Sequence, residues 1–247
     1  MSTKIEWTHP PGFRGVTWNP VTGCTPISAG CANCYARRMA KRLAGRYGYP
    51  QDDPFRVTVH EDRFEEPWAW KKPRFCFVCS MGDLFHADVC DTAIEIILRR
   101  IAESPQHIFC LLTKRPGWMC RLLRHDEPPL PNLWLGVTAE NQRTADERIP
   151  LLLDTPAAVR FVSVEPMLGA VDLSAHLSGL SWCICGAETG PGARRMNLDW
   201  ARSLRDQCRD ASVPFFFKQA GPKGTPIPDD LMVREWPKEI TRDAHTG

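Results

Sequence analysis

A chain of 247 residues with 43% hydrophobic and 24% charged content is long enough to bury a sizeable core and too apolar to stay disordered. A formal net charge of +2 announces no nucleic-acid binding by itself, and no apolar run nears the ~20 residues that span a bilayer. The first residues, MSTKIEWTHPPGF, have no apolar signal core, so the expected location is the cytoplasm, with no membrane partner.

The segment YARRMAKRLAGRYG (35–48) has helical composition and ends on glycine. It also carries a local basic patch of Arg37, Arg38, Lys41, Arg42 and Arg46. A weak β-rich run, RVTVH (56–60), precedes FCFVCS (75–80), HIFCLLT (107–113), LWLGVTA (133–139), VRFVSVE (159–165), SWCICG (181–186) and PFFFKQ (214–219). These runs are nearly continuous in apolar character, the pattern of strands buried on both faces of a parallel sheet. Between them lie expected helices at 91–104, 141–155 and 197–210, with Pro150 expected to interrupt or bend the second. Repeated strand–helix alternation predicts βαβ units and a complete or partial TIM-type (β/α) barrel with parallel strands. An open doubly wound sheet is the alternative that periodicity leaves standing. Residues 1–220 are expected to form this one domain, with 221–247 as a C-terminal surface extension.

The expected strands end in polar groups: Ser80 to Asp83 and His86, then Thr113-Lys114-Arg115, Glu140-Asn141, Glu165, Glu188 and Lys218-Gln219. The carboxyl ends of parallel strands share one rim, where ligands bind, so the series predicts a site there.

Eleven cysteines, an odd number without a secretion signal, argue against a disulfide framework. Cys24, Cys31 and Cys34 crowd into GCTPISAGCANC, a Gly/Pro-containing loop that ends in a CxxC. Three thiolates on a [4Fe–4S] cluster leave one iron open to a small molecule. Zinc completed by His86 or a distant cysteine is the other reading. Cys183 and Cys185, expected on one face of a strand, would lie inside a barrel as metal ligands or as core residues. Cys76 and Cys79 are expected to face opposite sides, and Cys90, Cys110, Cys120 and Cys208 to be core residues. The loop GAETGPGARR, with Gly186, Gly190 and Gly192, is expected to be an ordinary flexible turn, and Trp7, Trp18, Trp68 and Trp70 to pack under loops or at a barrel end.

The stretches WNPVTGC, GCANCYA, SMGDLFH, LLTKRP, WLGVTAEN, SVEPMLG and ICGAETGPGARRM resemble a phage-associated three-Cys-motif family whose members look like radical S-adenosylmethionine proteins. The resemblance runs from Trp18 to Gly221. The usual radical S-adenosylmethionine spacing is CxxxCxxC, whereas six residues separate Cys24 from Cys31 here. GCxxCY, Ser80–Asp83 and LLTKR look more like the spore photoproduct lyase branch. The resemblance implies a [4Fe–4S] cluster on Cys24, Cys31 and Cys34, with S-adenosylmethionine at its free iron. It implies cofactor contacts from Ser80, Asp83 and Thr113, and substrate-side roles for Lys114, Glu165 and Glu188, the two glutamates otherwise forming structural ion pairs. It further implies an external electron donor, an unidentified substrate such as a nucleic acid or nucleotide, and room for a partner protein. A binding protein of phage origin, non-catalytic and stabilised by zinc or a cluster, is the alternative function.

Overall fold

The structure, a computed structural model, describes residues 3–123 and 128–241. The apolar runs form strands because each places large side chains on both sides of the chain. They are β4 (Arg74–Val78), β5 (Ile108–Thr113), β6 (Leu133–Thr138), β7 (Val159–Val164), β8 (Trp182–Cys185) and β9 (Phe215–Phe217), buried along almost every position. A strand not foreseen, β1 (Arg14–Trp18), pairs parallel with β4. The weak run at 56–60 supplies only β3 (Thr58–Val59), antiparallel to β2 (Val21–Thr22) in a separate two-stranded sheet.

The seven-stranded sheet has the order β1-β4-β5-β6-β7-β8-β9, every pair parallel. Strand order follows chain order without reversal, so the topological switch point of a doubly wound sheet does not exist. The sheet curls into a half-barrel that stays open between β1 and β9, a partial TIM-type α/β barrel.

Helices α1 (Tyr35–Leu43), α2 (Asp91–Ala102), α3 (Pro116–Leu122), α4 (Gln142–Leu153) and α5 (Leu198–Asp210) join these strands. The short α3 begins with Pro-Gly and was not expected. Helix α4 runs three residues past Pro150 instead of stopping there. Pro150 and Asp146 are both exposed, so the one bond that Pro150 cannot donate is lost on the solvent side of the helix.

Alternation along the strands builds two cores. Val78, Leu111, Val137 and Val164 pack with Ile94, Ile97, Ile149 and Leu204 of the helices. Phe75, Phe77, Trp134, Phe161, Trp182 and Phe216 fill the concave side. Cys183 and Cys185 belong to the helix-side core, not to the barrel interior, because Trp182 and Ile184 take the inward positions. Cys76 and Cys79 share that same outer core: β4 ends at Val78, and Cys79 turns at φ 54°, which cancels the alternation. Cys90 is exposed and Cys120 half-buried, so only Cys110 and Cys208 of their group are core residues.

The first and last described segments close the concave face. Trp7, on the 3-10 turn Glu6–Thr8, lies against Phe75, Phe77, Phe161 and Trp182. Beyond Gly221 the described chain returns to the sheet. Phe216 bridges to Arg234, the Trp182 indole donates to Glu235 O at 2.8 Å, and the Trp236 indole donates to Trp7 O at 2.8 Å. No helix among the described residues is long and apolar enough to cross a membrane.

Candidate functional site

All seven strands point their carboxyl ends at one rim. The inward positions climb from apolar to charged, through a hydroxyl on β6 and β7: Ile108, Cys110, Leu112, Lys114 along and just past β5; Trp134, Gly136, Thr138, Glu140 for β6; Val159, Phe161, Ser163, Glu165 for β7. Gly136 is the step that lets Phe161 cross, since a Cβ there would overlap its ring. Above this floor sits a cavity of about 420 Å³, walled by Trp7, Phe77, Leu112, Thr138, Ser163, Lys114, Glu165, Glu188 and Lys218. Its roof is Gly30, Asn33, Cys34 and Tyr35 of the cysteine loop and the start of α1.

That loop is shaped by the rim. Gly23, at φ +85°, bridges to Gly82, and a Cβ there would collide with the Arg56 carbonyl. Three carboxylates then hold the loop at three points. Asp83, 5% exposed, accepts Thr113 Oγ1 at 2.8 Å and Arg115 at 3.1 Å. Arg115 in turn donates to Cys24 Sγ at 3.2 Å and to Thr25 O at 2.8 Å. Glu140, fully buried, accepts Ser28 Oγ at 2.6 Å, with Lys114 Nζ at 3.6 Å and Arg148 at 3.1 Å. Gly30 passes so close to Glu140 that a Cβ would fall 2.5 Å from Oε1. Glu188 accepts Asn33 Nδ2 and Arg194 Nε at 2.9 Å each, and Arg194 reaches Ala29 O at 3.0 Å.

The electrostatics follow from these contacts. Burial pushes the Cys24 thiol up and nearby Asp83 adds to this, against the opposing pull of Arg115. At Cys31 burial also raises the value, but hydrogen bonds from the Ile27 and Ser28 backbone, with Lys114 nearby, outweigh it and leave the thiol below its ordinary range. Burial would likewise raise Glu140, yet Lys114, Ser28 and Arg148 together hold it down.

Glu188 is held down to about 2 from an ordinary 4.5, chiefly by the Arg194 hydrogen bond. A carboxylate depressed on folding adds stability in full above its unfolded value and loses it as pH falls through the folded one. The Glu188 contribution is therefore complete above about pH 4.5 and disappears toward pH 2. Glu188→Gln should flatten the acid limb of the unfolding curve in that window. An acid limb identical to wild type would show that the pair adds no pH-dependent stability.

The structure brings Asp83 and Thr113 into contact with each other and, through Arg115, with Cys24. Ser80, 8% exposed at the end of β4, donates to Asn19 Oδ1 at 3.2 Å, and its carbonyl accepts the Tyr35 hydroxyl. Lys114, Glu165 and Glu188 all line the cavity, and each is ion-paired: Lys114 with Glu140, Glu165 with Lys218 at 2.7 Å, Glu188 with Arg194. Arg115 and Glu140 stand on the rim as the sequence placed them, and the structure gives them their partners; Ser28 and Asn33 are site residues that the sequence did not single out. Neither has a periodic or strand-end signal, since both lie in the cysteine loop.

Cys24, Cys31 and Cys34 are free and half-buried. Among the described residues, no three His, Cys, Asp or Glu side chains converge to hold a metal ion. The donor chemistry nonetheless fits thiolate ligation, because N–H groups and cations are directed at the sulfurs of Cys24 and Cys31. His86 does not offer itself as a further ligand: Nε2 meets Thr25 Oγ1 at 2.8 Å and Nδ1 accepts Asp88 N–H at 3.1 Å. The Gly186–Gly192 turn carries positive φ at Gly190 and Gly192 and packs on Arg38 and Asn33. Trp68 stays 47% exposed beneath the Arg100 guanidinium, whereas Trp7 and Trp18 are buried.

The family model described as "Protein of unknown function (DUF5131)" matches residues 2–242. The chain belongs to that family. Curated proteins give no match. Among solved structures, spore photoproduct lyase complexed with dinucleoside spore photoproduct is similar in fold, with TM-score 0.53 and 14% identity over 80% of this chain and 74% of that one. A cysteine-to-serine mutant of the lyase gives TM-score 0.52 and 12% identity over 85% and 78%. At these identities the likeness establishes the fold alone.

Proposed function

We propose that the chain is a radical S-adenosylmethionine-type iron–sulfur enzyme that acts on a nucleic acid or nucleotide, supplied with electrons by an external donor. The observation that carries this reading is the position of the three-cysteine loop, which roofs a cavity on the carboxyl rim of a half-barrel. The fold likeness to a lyase complexed with a dinucleoside supports a substrate of that class. The exposed Lys41 and Arg42 of α1, one helix length from Cys34, supply cations for a phosphate backbone.

When bound, a [4Fe–4S] cluster on Cys24, Cys31 and Cys34 with S-adenosylmethionine would supply the one-electron chemistry. The chain's own residues prepare and enclose the site. Arg115 holds the Cys24 sulfur, and its charge favours the thiolate. Asp83 and Thr113 fix Arg115 and stand beside Cys24, where Asp83, Thr113 and Ser80 would meet the cofactor. Lys114, Glu165 and Lys218 orient substrate from the walls, and ionised Glu188 keeps Asn33 over the opening. Trp7, Phe77 and Leu112 keep water from the floor.

A purely structural clasp, with zinc or a cluster stapling the loop, is less well supported. Asp83–Arg115, Glu140 and Glu188–Arg194 already tie that loop to the barrel without any metal. The test is metal and sulfide analysis of protein purified without oxygen, with EPR before and after S-adenosylmethionine. The expected result is about four irons and four sulfides per chain, lost in Cys31→Ala, with a spectrum that changes on adding S-adenosylmethionine. One zinc per chain and no spectral response would overturn the reading.

A further inference from the structure

We infer that Thr138 and Ser163 form the recognition edge of a ligand site inside the half-barrel, and that this site takes a neutral planar ring bearing an amide or imide edge. The inference deepens the proposed function by naming the chemistry its cavity accepts; it rests on that reading only in taking the ligand to be the substrate.

The two residues are direct register partners on β6 and β7, so their side chains leave the same face about 4.8 Å apart. Each is 2% exposed, and each lines the cavity. Their backbone carbonyls are engaged, Thr138 O by Arg148 and Ser163 O by the Ala139 N–H. Their hydroxyls make no hydrogen bond to the described residues, and because neither oxygen is sealed in protein both are open to the cavity they line. Two neighbouring hydroxyls that open into one cavity with no protein partner mark where a ligand, in place of water, completes the bonding.

The surroundings define that ligand. Each hydroxyl both donates and accepts, which suits an edge where carbonyl oxygens and N–H groups alternate. The two carbonyls of a cyclic imide stand about one strand spacing apart, matching the register. The charges at the cavity are already paired, Lys114 with Glu140, Lys218 with Glu165 and Glu188 with Arg194, so among the described residues that line it no unpaired cation waits for an anion. The remaining walls, Trp7, Phe77 and Leu112, are apolar surfaces suited to a ring face. At about 420 Å³ the cavity is at the small end for ligand sites, which fits one nucleoside-sized molecule.

Calorimetric titration of the full chain with uridine tests this. Uridine should bind, and both Thr138→Val, which keeps the shape, and Ser163→Ala, which removes one atom, should weaken it at least tenfold with unchanged thermal unfolding. Inorganic phosphate should not compete. Failure of the wild-type chain to bind uridine, equal affinity in both variants, or displacement by inorganic phosphate would each overturn the inference. Repeating the titration on Cys31→Ala separates the two readings. Retained uridine affinity there, still sensitive to the hydroxyls, upholds the site whether or not the chain carries iron.

Discussion

Glu140→Ala should destabilise the protein by about 3–5 kcal/mol, the range for stranding one half of a buried ion pair, and lower the unfolding midpoint by roughly 10 °C. Glu140 is fully buried and faces two cations, Arg148 with a side chain 7% exposed and Lys114 at 22%. Arg148 also donates to Thr138 O at 2.6 Å, so it cannot swing out to water without breaking a second buried bond. The alanine variant leaves that guanidinium without its counter-charge and Ser28 without its acceptor. Glu140→Gln keeps the shape and an acceptor for Ser28 but not the charge, and should lose less. Pairing Glu140→Ala with Arg148→Met should recover part of the loss, because the stranded charge is then gone. Denaturant unfolding of these three variants and of Arg148→Met alone closes the cycle. A Glu140→Ala loss under about 1 kcal/mol, or strict additivity in the double variant, would mean that the pair is not energetically coupled.

The same residue shows where the sequence stopped being legible. Six strands could be read because burial on both faces makes their apolar runs continuous. β1 escaped because RGVTW is short, starts on an exposed Arg14 and contains Gly15, which leaves too little pattern. The acid at the end of β6 was visible as a rim residue, but its partner Ser28 lies 112 positions earlier in a loop with no periodicity. Asn33 and Glu188, 155 positions apart, are the same case. Strand ends converge by rules of the fold, and so the wall could be foreseen. A loop finds its acceptors only through the tertiary path, and so the roof could not. Cys79 failed for a local reason, a left-handed residue just past a strand, which no alternation rule anticipates.

Trp7→Ala should cost about 3–5 kcal/mol, the range for large aromatic truncations in a core. A half-barrel leaves an apolar concave face that must be buried against something. In this chain the central piece of the cover is one tryptophan on a three-residue turn, 2% exposed, with ring centroids 4.9 Å from Phe77 and 5.9 Å from Trp182. The seven-stranded register prevents the walls from closing inward, so the void should persist rather than collapse, which places the loss toward the upper end. Trp7 also carries the last link to the C-terminal segment, accepting the Trp236 indole N–H through its carbonyl, and that backbone bond survives the substitution. Trp7→Phe should therefore restore most of the stability, since it refills the face without touching the backbone. Because Trp7 is floor to the cavity as well as plug to the barrel, uridine affinity should fall in Trp7→Ala even where the protein remains folded. A loss under about 1 kcal/mol would show that the two termini cover the concave face redundantly, with Trp236 and Ile240 sufficient on their own.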